Sequence, residues 1–263
     1  MNSGASFIRP GPIILLFVAL LLTPSFSYGE RSDGNIDRRE LMELEAHYRE
    51  SVMKGWRDFQ TSYADDGMAC ANCHLSHEQM TGWTGSYPKV QMFDGTPYRV
   101  TSLRGTVLEA LTRHTDLSAT DRENKADDMV AYISWWGDGQ RITPGISRTQ
   151  APAPDDLLEL EDSVKRGRAL FMRKSPPSCS QCHSPAADSS TDGKLSLYAT
   201  ATRFPKYDLD SRRVLSMGSF LSKHHKTKNL FMDSPEITDI QAYLADLASG
   251  KILQPGGGVN ESK

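Results

Sequence analysis

The pentapeptide Cys-x-x-Cys-His occurs twice, at Cys70–His74 and Cys179–His183, and the two copies contain all four cysteines of the 263-residue chain. Four chemistries compete for such a motif. Zinc needs four ligands, and two cysteines with one histidine leave each copy one short. A redox dithiol of the thioredoxin kind opens a helix after a strand, and no strand pattern precedes either motif. A Cys-x-x-Cys disulfide has no use for the histidine that follows both times. Addition of both thiols to the vinyl groups of a haem, with the histidine beneath the iron, uses all three residues. The motifs therefore predict two covalently bound haem c groups (iron). Cys70, Cys73, Cys179 and Cys182 would attach them, and His74 and His183 would be axial iron ligands.

More than the motif repeats. Val52-x-x-Gly55-x-x-x-Phe59 returns as Val164-x-x-Gly167-x-x-x-Phe171, and Tyr87-Pro88-Lys89 as Phe204-Pro205-Lys206. Arg99-Val100 is echoed by Arg213-Val214, and Ala131-Tyr132-Ile133 by Ala242-Tyr243-Leu244, in the same order and 109 to 117 residues apart. This order predicts two copies of one unit, at 30–140 and 157–250. Residues 141–156, rich in proline and small polar residues, read as a linker, and 251–263 as a flexible tail.

Each copy reads as mainly α. Leu41, Leu44, Tyr48, Val52, Trp56 and Phe59 recur at three- or four-residue spacing, as do Leu157, Leu160, Val164, Gly167 and Phe171, which places each set on one helix face. The shared glycine, Gly55 or Gly167, suits a crossing with a closing helix whose Tyr132 or Tyr243 packs against it. Thr120-x-x-Glu123 and Ser234-Pro235 offer starts for those closing helices. The stretches between are loop-rich, so a buried porphyrin would supply much of the core. The expected fold is two tandem class I-like cytochrome c domains, each built around one covalently attached haem c.

The opposite face of each iron is less constrained. His114 and His225 both lie 18 residues before the closing tyrosine, Tyr132 or Tyr243, and this symmetry makes them candidate metal ligands. His224, Met217 and Met232 in copy two, and Met80, Met92 and Met129 in copy one, are the alternatives. His77 is too near His74 in the chain to swing across.

Residues 1–29 read as a signal peptide. Arg9 is followed by an apolar run, Ile13–Leu22, and by Ser27-Tyr28-Gly29 before Glu30. Ten apolar residues fall short of the about 20 that span a bilayer, so export to the periplasm is expected, with a retained membrane anchor as the alternative. Hydrophobic residues make up 38% and charged residues 24%, and the net charge of −3 with no long basic run argues against nucleic acid as a partner. The expected partners are periplasmic electron donor and acceptor proteins, with a second cytochrome subunit as an option. Lys223, Lys226 and Lys228 are a candidate docking cluster.

The run Gly67–Leu75, with Tyr87-Pro88, Asp94-Gly95, Arg99–Leu103 and Val130–Ile133, resembles the first domain of dihaem thiosulfate dehydrogenases and the related SoxA cytochromes. The resemblance covers about 75 residues of copy one. It implies an axial cysteine on the catalytic haem, at a position that falls near Ala110 here. No cysteine stands there, so thiolate ligation is excluded in this chain and His114, four residues on, becomes the substitute. A dihaem electron carrier without a catalytic residue is therefore the expected function. A thiosulfate dehydrogenase-like oxidoreductase with altered ligation is the alternative, and a dihaem peroxidase, for which no distal acid–base pair is visible, the third.

Overall fold

In a computed structural model, Gly55 and Gly167 mark two helix crossings of the same design. The structure describes residues 46–74, 77–93, 99–146, 152–173, 178–186, 195–227 and 234–256, all within one compact unit, Arg31–Lys263. The signal segment, Leu41, Leu44, Met232 and Lys228 lie outside the described residues.

The first half runs α1 (Ala46–Gln60), a short turn α2 (Cys70–Cys73), α3 (His77–Ser86), a hairpin β1 (Lys89–Gln91) and β2 (Arg99–Thr101), α4 (Leu103–His114) and α5 (Ala119–Trp136). The second half runs α6 (Pro154–Phe171), a 3₁₀ turn at Cys179–Gln181, strands β3 (His183–Ser184) and β4 (Leu195–Ser196), and a 3₁₀ turn at Thr200–Arg203. A hairpin β5 (Lys206–Asp208) and β6 (Arg213–Leu215), α7 (Met217–Thr227) and α8 (Ser234–Leu247) complete it. α5 starts two residues earlier than Thr120 suggested, because the Ser118 hydroxyl accepts the Asp121 amide at 3.1 Å.

α1 crosses α5, and α6 crosses α8. A Cβ on Gly55 would run into the Asp128 carbonyl and stand 2.9 Å from the Tyr132 Cβ; one on Gly167 would meet the Asp239 carbonyl and the Tyr243 Cβ at 3.0 Å. Only hydrogen fits at such an approach, which explains both glycines. A buried hydroxyl–carboxylate pair seals each crossing: Ser51 donates to Asp128, and Ser163 donates to Asp239 at 2.6 Å. Phe59 and Phe171 close the same interfaces, 5.4 Å from Tyr132 and 5.5 Å from Tyr243 between ring centres.

The two halves interlock. The β1–β2 hairpin packs on α6, and β5–β6 packs on α1. Val214 of β6 joins the first core cluster, with Tyr48, Phe59 and Trp136, and Tyr207 stacks on His47 at 4.1 Å. The aromatic-Pro-Lys triplets enter these hairpins, and Lys89 and Lys206 lie 4.8 and 5.0 Å from the Tyr87 and Phe204 ring centres.

The segments expected to be linker and tail are hydrogen-bonded to each other. Gly139 and Leu253 share one backbone bond and Gly250 and Ile142 another, at 2.9 and 2.8 Å, around an Arg141–Ile252 bridge. Each strap then returns to its own proline turn: the Gly145 amide donates to the Pro88 carbonyl at 3.0 Å, and that of Gly256 to Pro205 at 2.8 Å. Gly145 and Gly256 hold φ of +76° and +77°, the left-handed region that glycine enters without strain. Glycine and proline here shape turns, and Ile142 and Leu253 are buried between them. Of the expected tail, residues 257–263 lie outside the described residues, as do 147–151 of the linker. No helix among the described residues is long and apolar enough to cross a membrane.

Candidate functional site

Both Cys-x-x-Cys-His motifs fold as a single tight turn directly after the glycine-bearing helix. In the first, the Ala69 amide donates to the Asn72 side chain at 2.6 Å and the His74 amide to the Cys70 carbonyl at 3.0 Å. In the second, the Cys182 amide donates to the Cys179 carbonyl at 3.2 Å. All four thiols are unbridged; Cys73 and Cys182 are exposed, while Cys70 and Cys179 point partly inward. Burial raises the thiol pKa of both inward cysteines, so they rest as thiols.

His74 is an exposed residue with two aromatic neighbours: Trp83 meets it edge-on at 5.0 Å and Phe59 lies 6.3 Å away. Partial burial lowers its proton affinity and the charge of His114 lowers it further, so the two imidazoles lie within electrostatic reach. His114 is the last residue of α4 and is exposed.

At the second motif a histidine stands opposite the expected ligand. The rings of His183 and His224 are 6.0 Å apart, tilted by 58°. One metal bound by two imidazoles, with bonds of about 2 Å and about 1 Å from nitrogen to ring centre, separates the centres by about 6 Å. Phe220, one turn earlier on α7, stacks on His224 at 5.8 Å and 11°. The residues present therefore fit a porphyrin: two thiols that would attach it, an imidazole beside them that would bind its iron, aromatic neighbours, and at the second motif a further imidazole at the spacing one metal would need.

The structure also supplies the register that counting back from the closing helix missed. Ser102 caps α4 by accepting the Gly105 amide at 3.1 Å, and Ser216 accepts the Ser219 amide at 3.2 Å as α7 begins. Aligned from these serines, Ala110 matches His224 and Leu111 matches His225. The burial agrees, since Leu111 is 2% exposed and His225 5%. His225 thus fills a core slot, and His224 is the residue brought to His183. Among the methionine alternatives, Met80 and Met129 are core residues, Met92 is exposed, and Met217 is partly buried at the start of α7. Of the lysine cluster, Lys223 is ion-paired with Asp208 and Asp210, while the Lys226 side chain and Lys228 lie outside the described residues.

Residues 54–142 match the family model of the SoxA/TsdA cytochrome c domain. The crystal structure of SoxXA from P. pantotrophus superposes with a TM-score of 0.60 at 19% identity, over 78% of this chain and 75% of that one. Residues 54–142 are therefore a cytochrome c domain of the SoxA/TsdA type. No curated protein sequence matches the chain. The matched region contains Cys70, Cys73 and His74, so a SoxA/TsdA-type domain with covalently bound haem c accounts for the first motif. The likeness to SoxXA extends the mainly helical fold over the second half.

Proposed function

We propose that this SoxA/TsdA-like cytochrome is an exported dihaem electron carrier, with one cytochrome c unit in 30–140 and another in 157–250, passing electrons between periplasmic proteins. The observation that carries this reading is the 6.0 Å separation of the His183 and His224 rings, a spacing at which both imidazoles could hold one iron and so close the second motif to a substrate. Haem c, when bound, supplies reversible one-electron chemistry.

The chain's own residues fix, shield and orient. Cys70, Cys73, Cys179 and Cys182 would tether the two groups, so that little geometry changes with oxidation state. His74 and His183 would hold one face of each iron, His224 the other face of the second, and His114 that of the first. Phe59, Trp83 and Phe220 would lend apolar surface beside the ligand rings, and such local polarity tunes the potential. Two histidines on one iron favour a potential below that of a His/Met pair. A second cytochrome subunit is a candidate partner, and a sulfur-oxidation setting follows from the family resemblance.

A thiosulfate dehydrogenase-like activity is the second reading, favoured by the domain match at the first motif. It must work without an axial thiolate, because all four cysteines lie in the haem motifs.

The test is the purified holoprotein, assayed by pyridine haemochrome and electron paramagnetic resonance, then by turnover with thiosulfate. Two haems per chain, low-spin iron at the second motif and no thiosulfate turnover are expected. One haem per chain, or sustained thiosulfate oxidation, would overturn the carrier reading.

A further inference from the structure

Asp127 belongs to α5 of the first half, is 4% exposed, and reaches into the second half. One of its carboxylate oxygens, Oδ1, accepts three hydrogen bonds: from the Ser216 backbone amide at 3.1 Å, the Ser219 hydroxyl at 2.9 Å and the Arg104 Nε at 3.1 Å. Ser216 Oγ donates to Ser219 Oγ at 3.2 Å, so the first turn of α7 is tied to a single buried anion. Arg104 is held in turn by Glu123, 2.5 Å from its Nη2.

The other end of this helix carries His224. The Phe220 amide donates to the Ser216 carbonyl at 2.9 Å, and Phe220 stacks on His224. Ser216, Phe220 and His224 are successive i, i+4 positions on one stripe, so the clasped residue lies two turns, about 12 Å, from the imidazole. A rotation or slide of the first turn would carry His224 away from His183. The anion also faces the positive pole of α7, where negative charge is stabilising. The carboxylate is particular to this side of the molecule: aligned through the closing tyrosines, Asp127 corresponds to Thr238, and aligned through the capping serines, Arg104 corresponds to Gly218.

We propose that Asp127, held by Arg104, is a positioning residue for His224, so that the first half of the chain sets the ligand geometry of the second motif. The proposal rests on the reading of His183 and His224 as ligands of one iron, and it adds that their alignment is controlled from outside their own domain.

The test compares holoprotein of the parent chain with Asp127→Ala, Asp127→Asn, Ser219→Ala and a control, Ser51→Ala, whose hydroxyl seals the α1–α5 crossing instead. The readouts are the low-spin resonance that His224→Ala removes, and deuterium exchange over residues 217–227. In Asp127→Ala the resonance is expected to shift or lose most of its amplitude, and exchange over α7 to speed up roughly tenfold, because a buried amide and a guanidinium lose their acceptor. Asp127→Asn keeps an acceptor oxygen and is expected to restore part of the signal; Ser51→Ala is expected to lower stability and leave the resonance unmoved. Asp127→Ala with a lower melting temperature but the parent resonance and parent exchange would overturn the proposal. Should Asp127→Ala fail to fold, parent behaviour in both Asp127→Asn and Ser219→Ala overturns it. A parent protein that carries haem but shows no two-imidazole resonance overturns the ligand reading itself, before any variant is compared.

Discussion

His224 and His225 are neighbours on α7, and the structure places them differently, His224 beside His183 and His225 in the core, a difference that two substitutions test. His224→Ala removes one of two rings 6.0 Å apart and leaves the iron of the second motif with an open face. With two haems per chain, half of the integrated low-spin signal is expected to disappear and a high-spin signal of equal weight to replace it. The same change also deletes the Phe220 stack, which costs about 1 kcal/mol. His225→Leu instead places in the second half the residue that fills the equivalent core slot in the first, where Leu111 is 2% exposed. Replacing a buried imidazole by leucine forfeits its polar contact, about 1–3 kcal/mol, and burial of an aliphatic group offsets part of that. The two variants are therefore expected to unfold at similar denaturant concentrations while differing completely in their resonance and Soret spectra. Spectroscopy decides, and stability serves as the control. A parent-like spectrum in His224→Ala, or loss of low-spin iron in His225→Leu, would refute the serine-anchored alignment and return the ligand role to His225.

The crossings predict that Gly55→Ala and Gly167→Ala each cost about 3 kcal/mol, the upper end of overpacking, because the added Cβ meets a backbone carbonyl that cannot rotate away; equilibrium urea unfolding measures it, and a loss below about 1 kcal/mol would show that the helices slide apart freely. Burial works to raise the Asp208 pKa, but hydrogen bonds from Lys223 and Ser211 outweigh it and hold the carboxyl below its ordinary 3.8. Its contribution is then present above pH 3.8 and lost as pH falls through the lower folded value, so Asp208→Asn is expected to destabilise at pH 7 and to converge on the parent in stronger acid. A gap that stays constant across acid titration would refute the ion pair as its source.

What the sequence made legible was chemistry carried by residue identity at short range. Cys70–His74 lie inside the cytochrome c domain that their spacing suggested, and Gly55 and Gly167 betray a helix crossing because no other residue would keep both helices that close. The straps were not legible, since Gly139 to Leu253 and Gly250 to Ile142 are backbone bonds between residues 114 and 108 positions apart, and backbone bonds leave no side-chain pattern. Their glycine and proline content was read as looseness, when it shapes turns with positive φ at Gly145 and Gly256. The register of the two candidate ligand helices is hidden for a related reason. The spacing between the hairpin and the closing helix differs by three residues between the halves, and the difference falls after the ligand position. Counting back from Tyr132 and Tyr243 therefore pairs His114 with His225, whereas the helix starts at Ser102 and Ser216 pair Ala110 with His224. The signal was present in the repeat itself, three residues after Arg99 and Arg213.

This register bears directly on the first motif. His224 is the eighth residue of α7, and the eighth residue of α4 is Ala110, the position at which the family resemblance implies an axial ligand. His114 lies four residues on, about 6 Å further along the axis, at the exposed end of the helix. A ligand reaching back from there is held by the last, exposed turn of the helix, whereas His224 is held by a stacked Phe220 and its helix by the Asp127 anchor. The first iron should accordingly lose its distal histidine more readily: His114→Ala is expected to give a high-spin first iron, while mild acid or added imidazole perturbs the first site before the second. Ala110→His combined with His114→Ala moves the ligand back one turn, to where α7 carries His224, and is expected to return the first iron to low spin with a narrower resonance than the parent. Two unchanged low-spin signals in His114→Ala would show that another residue closes the first iron. A high-spin first iron in the double variant would show that the eighth position of α4 does not face His74.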